Sequence, residues 1–306
     1  MKITNAFSFL IFTCATLFSQ NQPHLQWIES FPIAPELTPP VKNAQSLTIG
    51  FSGELYIADT GNHRLIKLNS KGEYLQHIGG FGWKANQFDT PVDIVTADGL
   101  NLYVADYNNQ RIQRYGKNFE FISSLGDSKI DRLSSDQTGK TAVQISYPSG
   151  VAVTSLGDLF FTESEKGTVY KINRFGNVDA VFGGFTSSTG GLHKPSKLCA
   201  TKKRVYVADE IKIVVYDYFG NYLQTVGEGF LKKITDVTVS VDNRIYISDS
   251  ERKTILIFDE KGEWISSPMN VEFQSPAAVE IWNEKLFVLD GKTSTIHIFK
   301  INGKSE

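Results

Sequence analysis

The sequence predicts an all-β chain, a six-bladed β-propeller of four-stranded blades whose ring is closed by an N-terminal strand. Three observations carry this. A strand motif ending in an acid recurs six times, turn residues keep a fixed register to it, and the last copy stops one strand short. An unassigned strand at the other end of the chain can supply the missing one.

The clearest copy is Leu55 to Gly82. Leu55–Ala58, Leu65–Leu68 and Tyr74–Ile78 are short runs rich in Tyr, Ile and Leu, separated by Asp59-Thr60-Gly61-Asn62 and Asn69-Ser70-Lys71-Gly72. Such runs between turn-forming residues read as consecutive antiparallel strands. Three strands leave an apolar face uncovered, so the unit needs neighbours.

The acid-ended strand returns at Leu102–Asp106, Leu159–Glu163, Val205–Asp209, Ile245–Asp249 and Leu286–Asp290. Gly72, Gly176, Gly262 and Gly303 each follow their acid by 13 residues, where a positive φ suits the turn into the outer strand. The second copy has Asn118-Phe119 there, and the fourth reaches Gly220 after 11 residues. Upstream of the acids, Val92–Val95, Gly150–Val153, Lys197–Ala200, Asp236–Val239 and Ala278–Ile281 complete the blades as inner strands. Pro91, Pro148, Pro195 and Pro276 lead into four of them, which a strand tolerates at its start. The sixth copy ends after Ile296–Ile301, so Leu25–Phe31 is expected to pair with its third strand, removing two open edges.

A single ring is compatible with 306 residues, and 41% hydrophobic content can fill cores between blades. A net charge of −2 offers no basic footprint, so no nucleic-acid partner is expected. Residues 1–19 read as a signal peptide, with Lys2 before an apolar run from Phe7 to Phe18 that is too short to span a bilayer. Residues 20–306 would then be the mature propeller, exported to the periplasm or the extracellular medium. It would have no transmembrane segment and form a monomeric ring. Cys14 falls in the signal, leaving Cys199 as a lone thiol read as a core residue.

The copies beginning at Leu55 and Leu102, with their Ala-Asp strand end, their Asn-x-Arg turn and, in the first, Gly before the outer strand, resemble the NHL repeat. The likeness extends over residues 25–306, and is weakest in the third, fourth and sixth copies. It implies a six-bladed propeller, in agreement with the count. It leaves activity open, because the family includes protein- and RNA-binding modules and related propellers act as lyases or lactonases.

The acids Asp59, Asp106, Glu163, Asp209, Asp249 and Asp290 recur in every blade, which points to a structural role: capping backbone N–H groups and pairing with Arg64 or Arg111. His24, His63, His77, His193 and His297 show no metal-ligand spacing and read as surface or structural residues. Gly79-Gly80-Phe81-Gly82 lies between strands and is no phosphate loop.

Two residues after each leading proline, one side chain reaches the channel rim: Ser46, Asp93, Gly150, Lys197, Asp236 and Ala278. Of these, Ser46, Asp93, Lys197 and Asp236 form the candidate ligand site, a polar pocket for a small ligand or a divalent cation. Asp93 and Asp236 are expected to face each other, with Lys197 beside Asp236. The plain alternative is a solvated channel mouth.

The loops after the outer strands, Gly79–Thr90, Gly126–Tyr147 and Gly183–Lys194, share a face with the channel entrance and are candidate partner sites. Their named residues are Phe81, Trp83, Arg132 and His193. Trp83 is expected to pack beneath its loop; exposed, it and Phe81 would anchor a partner. The resulting reading is a non-enzymatic scaffold binding protein or carbohydrate/peptide ligands through the loop-bearing face. The alternative is a metal-assisted, lactonase-like hydrolase or lyase with carboxylates at the channel.

Overall fold

The computed structural model describes residues 25–126, 144–186, 189–268 and 271–302. These residues form six antiparallel sheets of four strands each. Within each of the first five blades the strands follow one another in chain order from the inner to the outer strand. The first blade runs Ala44–Ile49, Leu55–Asp59, Arg64–Leu68, Tyr74–Gly79.

The last blade has the inner strands Pro276–Trp282, Lys285–Asp290 and Thr295–Ile301, and its outer strand is Leu25–Pro32. Leu25 pairs with Ile301 and Phe31 with Ile296, so the N-terminal strand closes the ring as expected.

Second strands such as Leu55–Asp59 are buried at every residue, because each blade lies between two others. Outer strands are more exposed, since their flank meets water, and Tyr74–Gly79 alternates between half-buried and exposed residues. The cores sit between blades. Ile57 and Ile66 of the first blade pack with Leu289 and Ile296 of the last, and Tyr206 and Val215 of the fourth with Val237 and Ile247 of the fifth.

Each repeated acid is buried and ties the preceding loop to its blade. Asp59 accepts the Lys42 N–H (2.8 Å), Asp106 that of Asp89 (2.7 Å), Glu163 that of Ser146 (2.6 Å) and Asp209 that of Lys194 (2.6 Å). Asp249 holds Lys232 (2.8 Å), and Asp290 holds Gln274 and Ser275. Arg64 and Arg111 add ion pairs of 2.6 and 2.9 Å to Asp59 and Asp106. The acids act as loop staples rather than as a reactive ring.

The turn glycines Gly72, Gly176, Gly220 and Gly262 all have positive φ. Phe119 takes the corresponding place in the second blade with φ 66°, its ring buried edge-on to Tyr56. Gly303 lies outside the described residues.

Candidate functional site: the two mouths of the channel

Loops following outer strands and turns between second and third strands share one face of the ring, the loop face. Turns between inner and second strands lie on the opposite face. A cavity opens at each end of the channel.

The predicted rim residues form a latch inside the ring rather than a solvated mouth. Ser46, Asp93 and Lys197 are 3%, 7% and 6% exposed. The Ser46 hydroxyl donates to Asp93 Oδ1 (2.7 Å) and accepts the Ile94 N–H (3.1 Å) of the next blade. Asp93 Oδ2 accepts the Val151 N–H (2.8 Å) of the third blade, and Asp236 Oδ2 the Val279 N–H (3.0 Å) of the sixth. One blade's rim side chain thus satisfies a channel-edge donor of the next. At Gly150 there is no room for this device, since a Cβ would run into the Ser196 carbonyl of the adjoining blade.

Lys197 differs from expectation. Its ammonium crosses the ring to Asp93 Oδ1 (2.6 Å) and the Val92 carbonyl (2.6 Å), rather than bonding to Asp236. At this place the ammonium gains two acceptors, a carboxylate oxygen and a backbone carbonyl, while Asp236 accepts the Val237 and Val279 N–H groups.

Below this latch, on the face opposite the loops, lies a cavity of about 280 Å³ lined by Asp93, Asp236, Glu280, Cys199 and Thr238, with Val241 at its edge. Asp236 and Glu280 are half-buried, and their accessible surface faces this cavity. Burial pushes the Asp236 carboxyl up to about 7; the Lys197 charge opposes the rise and Asp93 adds to it. Burial, with the charges of Asp236 and Asp93, pushes Glu280 up to about 8. The Cys199 thiol is pushed up to about 12, chiefly by burial, and is no nucleophile.

Glu280 escaped the reading of the sequence, and Cys199, read there as a core residue, packs against the core and also lines this cavity. Each lies two residues beyond a rim position, Ala278 and Lys197, and side chains two apart in a strand share a face, so that spacing could have found them. The expectation of a divalent cation at the channel finds no ligand set. Among the described residues, no group of three or more His, Cys, Asp or Glu side chains is arranged to hold a metal ion.

The loop-face mouth is larger, about 660 Å³, and differently charged. Lys42, Lys233 and Lys292 line it with Thr235, Ser250, Ser275 and Ser294, and Lys197 forms part of its floor.

On the same face, Phe81 and Trp83 are 69% and 66% exposed. Trp83 therefore does not pack beneath its loop, and the cause is visible. The Arg111 guanidinium fills that space, donating to the carbonyls of Trp83 (2.7 Å), Lys84 (3.1 Å) and Gln87 (2.9 Å). Asn109 adds a bond to the Gly82 carbonyl (2.8 Å), and Phe81 rests edge-on against His63.

His193 is exposed, with its backbone N–H held by Asp209 (3.0 Å). Arg132, His24 and residues 1–19 lie outside the described residues. Among the described histidines, His297 is half-buried against Phe273 and His77 bonds to the Tyr74 hydroxyl (2.7 Å), both structural placements. The opposite face also exposes large apolar side chains that the sequence reading passed over, Phe51, Phe175 and Phe219, each at the tip of a separate turn.

Comparison with known proteins agrees with this architecture. The NHL repeat profile matches residues 88–115. The chain is 29% identical over 154 residues to "Protein brain tumor" of Drosophila melanogaster, a match covering 49% of this chain and 14% of that protein. It is 28% identical over 148 residues to "NHL repeat-containing protein 2" of Gallus gallus, covering 46% of this chain and 19% of that protein. The chain therefore spans a small part of the length of the curated relatives it matches. Among solved structures, virginiamycin B lyase from Staphylococcus aureus superimposes with a TM-score of 0.61 at 12% identity, covering 90% of this chain and 99% of that one. That likeness is one of fold alone. The repeat match, the relatives and the six closed blades together show a six-bladed β-propeller that carries an NHL repeat match.

Proposed function

We propose that the chain is a non-enzymatic binding scaffold that takes a protein or carbohydrate/peptide ligand on its loop face. NHL propellers commonly serve as protein-interaction scaffolds, which supports the general class. The observation that carries the reading is the pair Phe81 and Trp83: two large aromatic rings, mostly exposed, on a loop pinned from beneath by Arg111 and Asn109. Exposed aromatics on a fixed backbone bury area on association with little ordering cost.

The proposal includes export. It rests on the apolar run from Phe7 to Phe18 behind Lys2, outside the described residues, and puts the partner in the periplasm or the extracellular medium. No helix among the described residues is long and apolar enough to cross a membrane.

The test is capture of partners from the envelope and secreted fractions with the wild-type chain and with Phe81→Ser/Trp83→Ser. The proposal expects a saturable partner that the double variant loses while keeping its thermal midpoint. Equal capture by both would remove the loop face from the function.

A further inference from the structure

We propose that the loop-face mouth of the channel holds a run of carboxylates, an acidic peptide segment of the partner. This deepens the scaffold reading above and rests on it.

Uncompensated positive charge is gathered here in a concave site. Lys42, Lys233 and Lys292 come from the segment before the first blade, the fifth blade and the sixth, yet line one cavity of about 660 Å³. That volume lies inside the usual range for ligand sites, roughly 300–1,000 Å³. No carboxylate side chain among the described residues lines it. All three lysines are exposed, and none forms an ion pair among the described residues. Lys197 in the floor is different, since Asp93 already neutralises it at 2.6 Å.

The nearest acids are committed elsewhere. Asp249 accepts the backbone N–H groups of Lys232, Lys233, Glu251 and Arg252, and Asp290 those of Gln274, Ser275, Lys292 and Thr293. Three free ammonium groups around a cavity focus a positive potential into it. The Ser275 hydroxyl on the same wall is a further donor to carboxylate oxygens.

A peptide fits better than a nucleic acid. The positive charge is gathered at one mouth of a chain whose net charge is −2, whereas a polynucleotide is met by a basic stripe along a face. Beyond the mouth the loop face is mixed in sign, as at Lys232 with Glu251 (3.5 Å). An extended peptide advances roughly 3.3–3.6 Å per residue, so successive acidic side chains can engage lysines from different blades.

The test is fluorescence anisotropy on the full chain with labelled hexaglutamate, hexalysine and oligouridylate. The variants are Lys233→Glu/Lys292→Glu and, on the opposite face, Lys202→Glu/Lys203→Glu, which makes the same change in net charge. Both pairs are solvent-exposed, and unchanged circular dichroism and melting midpoints confirm folding. The expected result is saturable binding of hexaglutamate that weakens as salt rises from 50 to about 200 mM. The mouth variant should bind at least about tenfold more weakly and the opposite-face variant within about twofold of wild type.

Three results would overturn the inference: no hexaglutamate binding by the wild type, equal weakening in both variants, or tighter binding of oligouridylate through the same lysines. If hexaglutamate fails while Phe81→Ser/Trp83→Ser still loses a partner, the acidic segment falls and the scaffold reading stands. If hexaglutamate binds at the mouth but no partner depends on the loop face, the acid site stands without the scaffold.

Discussion

Lys197 of the fourth blade places its ammonium 2.6 Å from Asp93 Oδ1 of the second, a bond that passes over the intervening blade. Asp93 Oδ2 meanwhile holds the Val151 N–H of that third blade. With the Ser46 hydroxyl of the first blade also on Oδ1, four blades are joined through one carboxylate, which separates a lysine-lined mouth from an acid-lined one.

Both partners are nearly buried, so removing one leaves the other charged and unpaired. Lys197→Met is expected to cost about 3 kcal/mol in urea unfolding. Asp93→Asn combined with Lys197→Met should cost clearly less, because the amide oxygen introduced by Asp93→Asn would still accept the Val151 N–H. A double variant as unstable as the sum of both singles would show that the pair is not coupled.

Burial of Asp236 and Glu280 predicts a pH dependence of the fold whose sign follows from their raised carboxyl values. Both carboxyls titrate in the folded chain above their ordinary range, at about 7 and about 8. The folded state thus binds more protons, and the stability linked to these groups is full below the unfolded values near 4 and lost as pH rises through about 8. Glu280→Gln removes the largest of these changes. Relative to wild type it should gain on the order of 4 kcal/mol between pH 5 and pH 9, read from chemical denaturation at each pH. A constant difference between the two proteins across that range would place the Glu280 titration at an ordinary carboxylate value.

The blades were legible because their determinants are local. An acid at the end of a strand, a turn, and a glycine with positive φ repeat at intervals that a single chain displays. Closure by Leu25–Pro32 followed from a shortage of strands, which is a matter of counting. The site was less legible. That Lys197 would bond to Asp93 and to the Val92 carbonyl depends on how the second and fourth blades approach each other at the channel, a fact that exists only once the ring is formed. Trp83 turned outward for a comparable reason: Arg111, which follows it by 28 residues, takes the volume under its loop.

Some turn geometry carried no signal in the sequence. The turns between second and third strands end in a residue with positive φ: His63, Gln110, Lys253 and Ser294, with Gly167 in the third blade and Glu210 in the shortened fourth. Only one of these six is glycine. Lys253 has φ 54° and an exposed side chain, so glycine there relieves backbone strain without losing packing. Lys253→Gly should be neutral to about 0.5 kcal/mol stabilising, the relief being offset in part by the freer unfolded chain. Phe119→Gly, at φ 66°, should instead destabilise by about 3 kcal/mol, because the ring buried against Tyr56 is lost. Thermal midpoints of the two variants moving in the same direction would contradict this division between strain and packing.

The closing strand can be tested through Gly72, which has φ 82° in the turn before the first blade's outer strand. A Cβ there would run into the ring of Phe31, which belongs to the closing strand of the last blade. Gly72→Ala therefore carries two costs, backbone strain of about 1 kcal/mol and displacement of a ring at the closure. Together they should lower stability by about 2–3 kcal/mol. Phe31→Ala alone loses a partly buried ring and its packing against the adjoining core. In the double variant the clash no longer exists, so its loss should fall short of the sum of the two singles by about 1 kcal/mol or more. Additive losses would mean that the closing strand does not bear on the first blade at this turn.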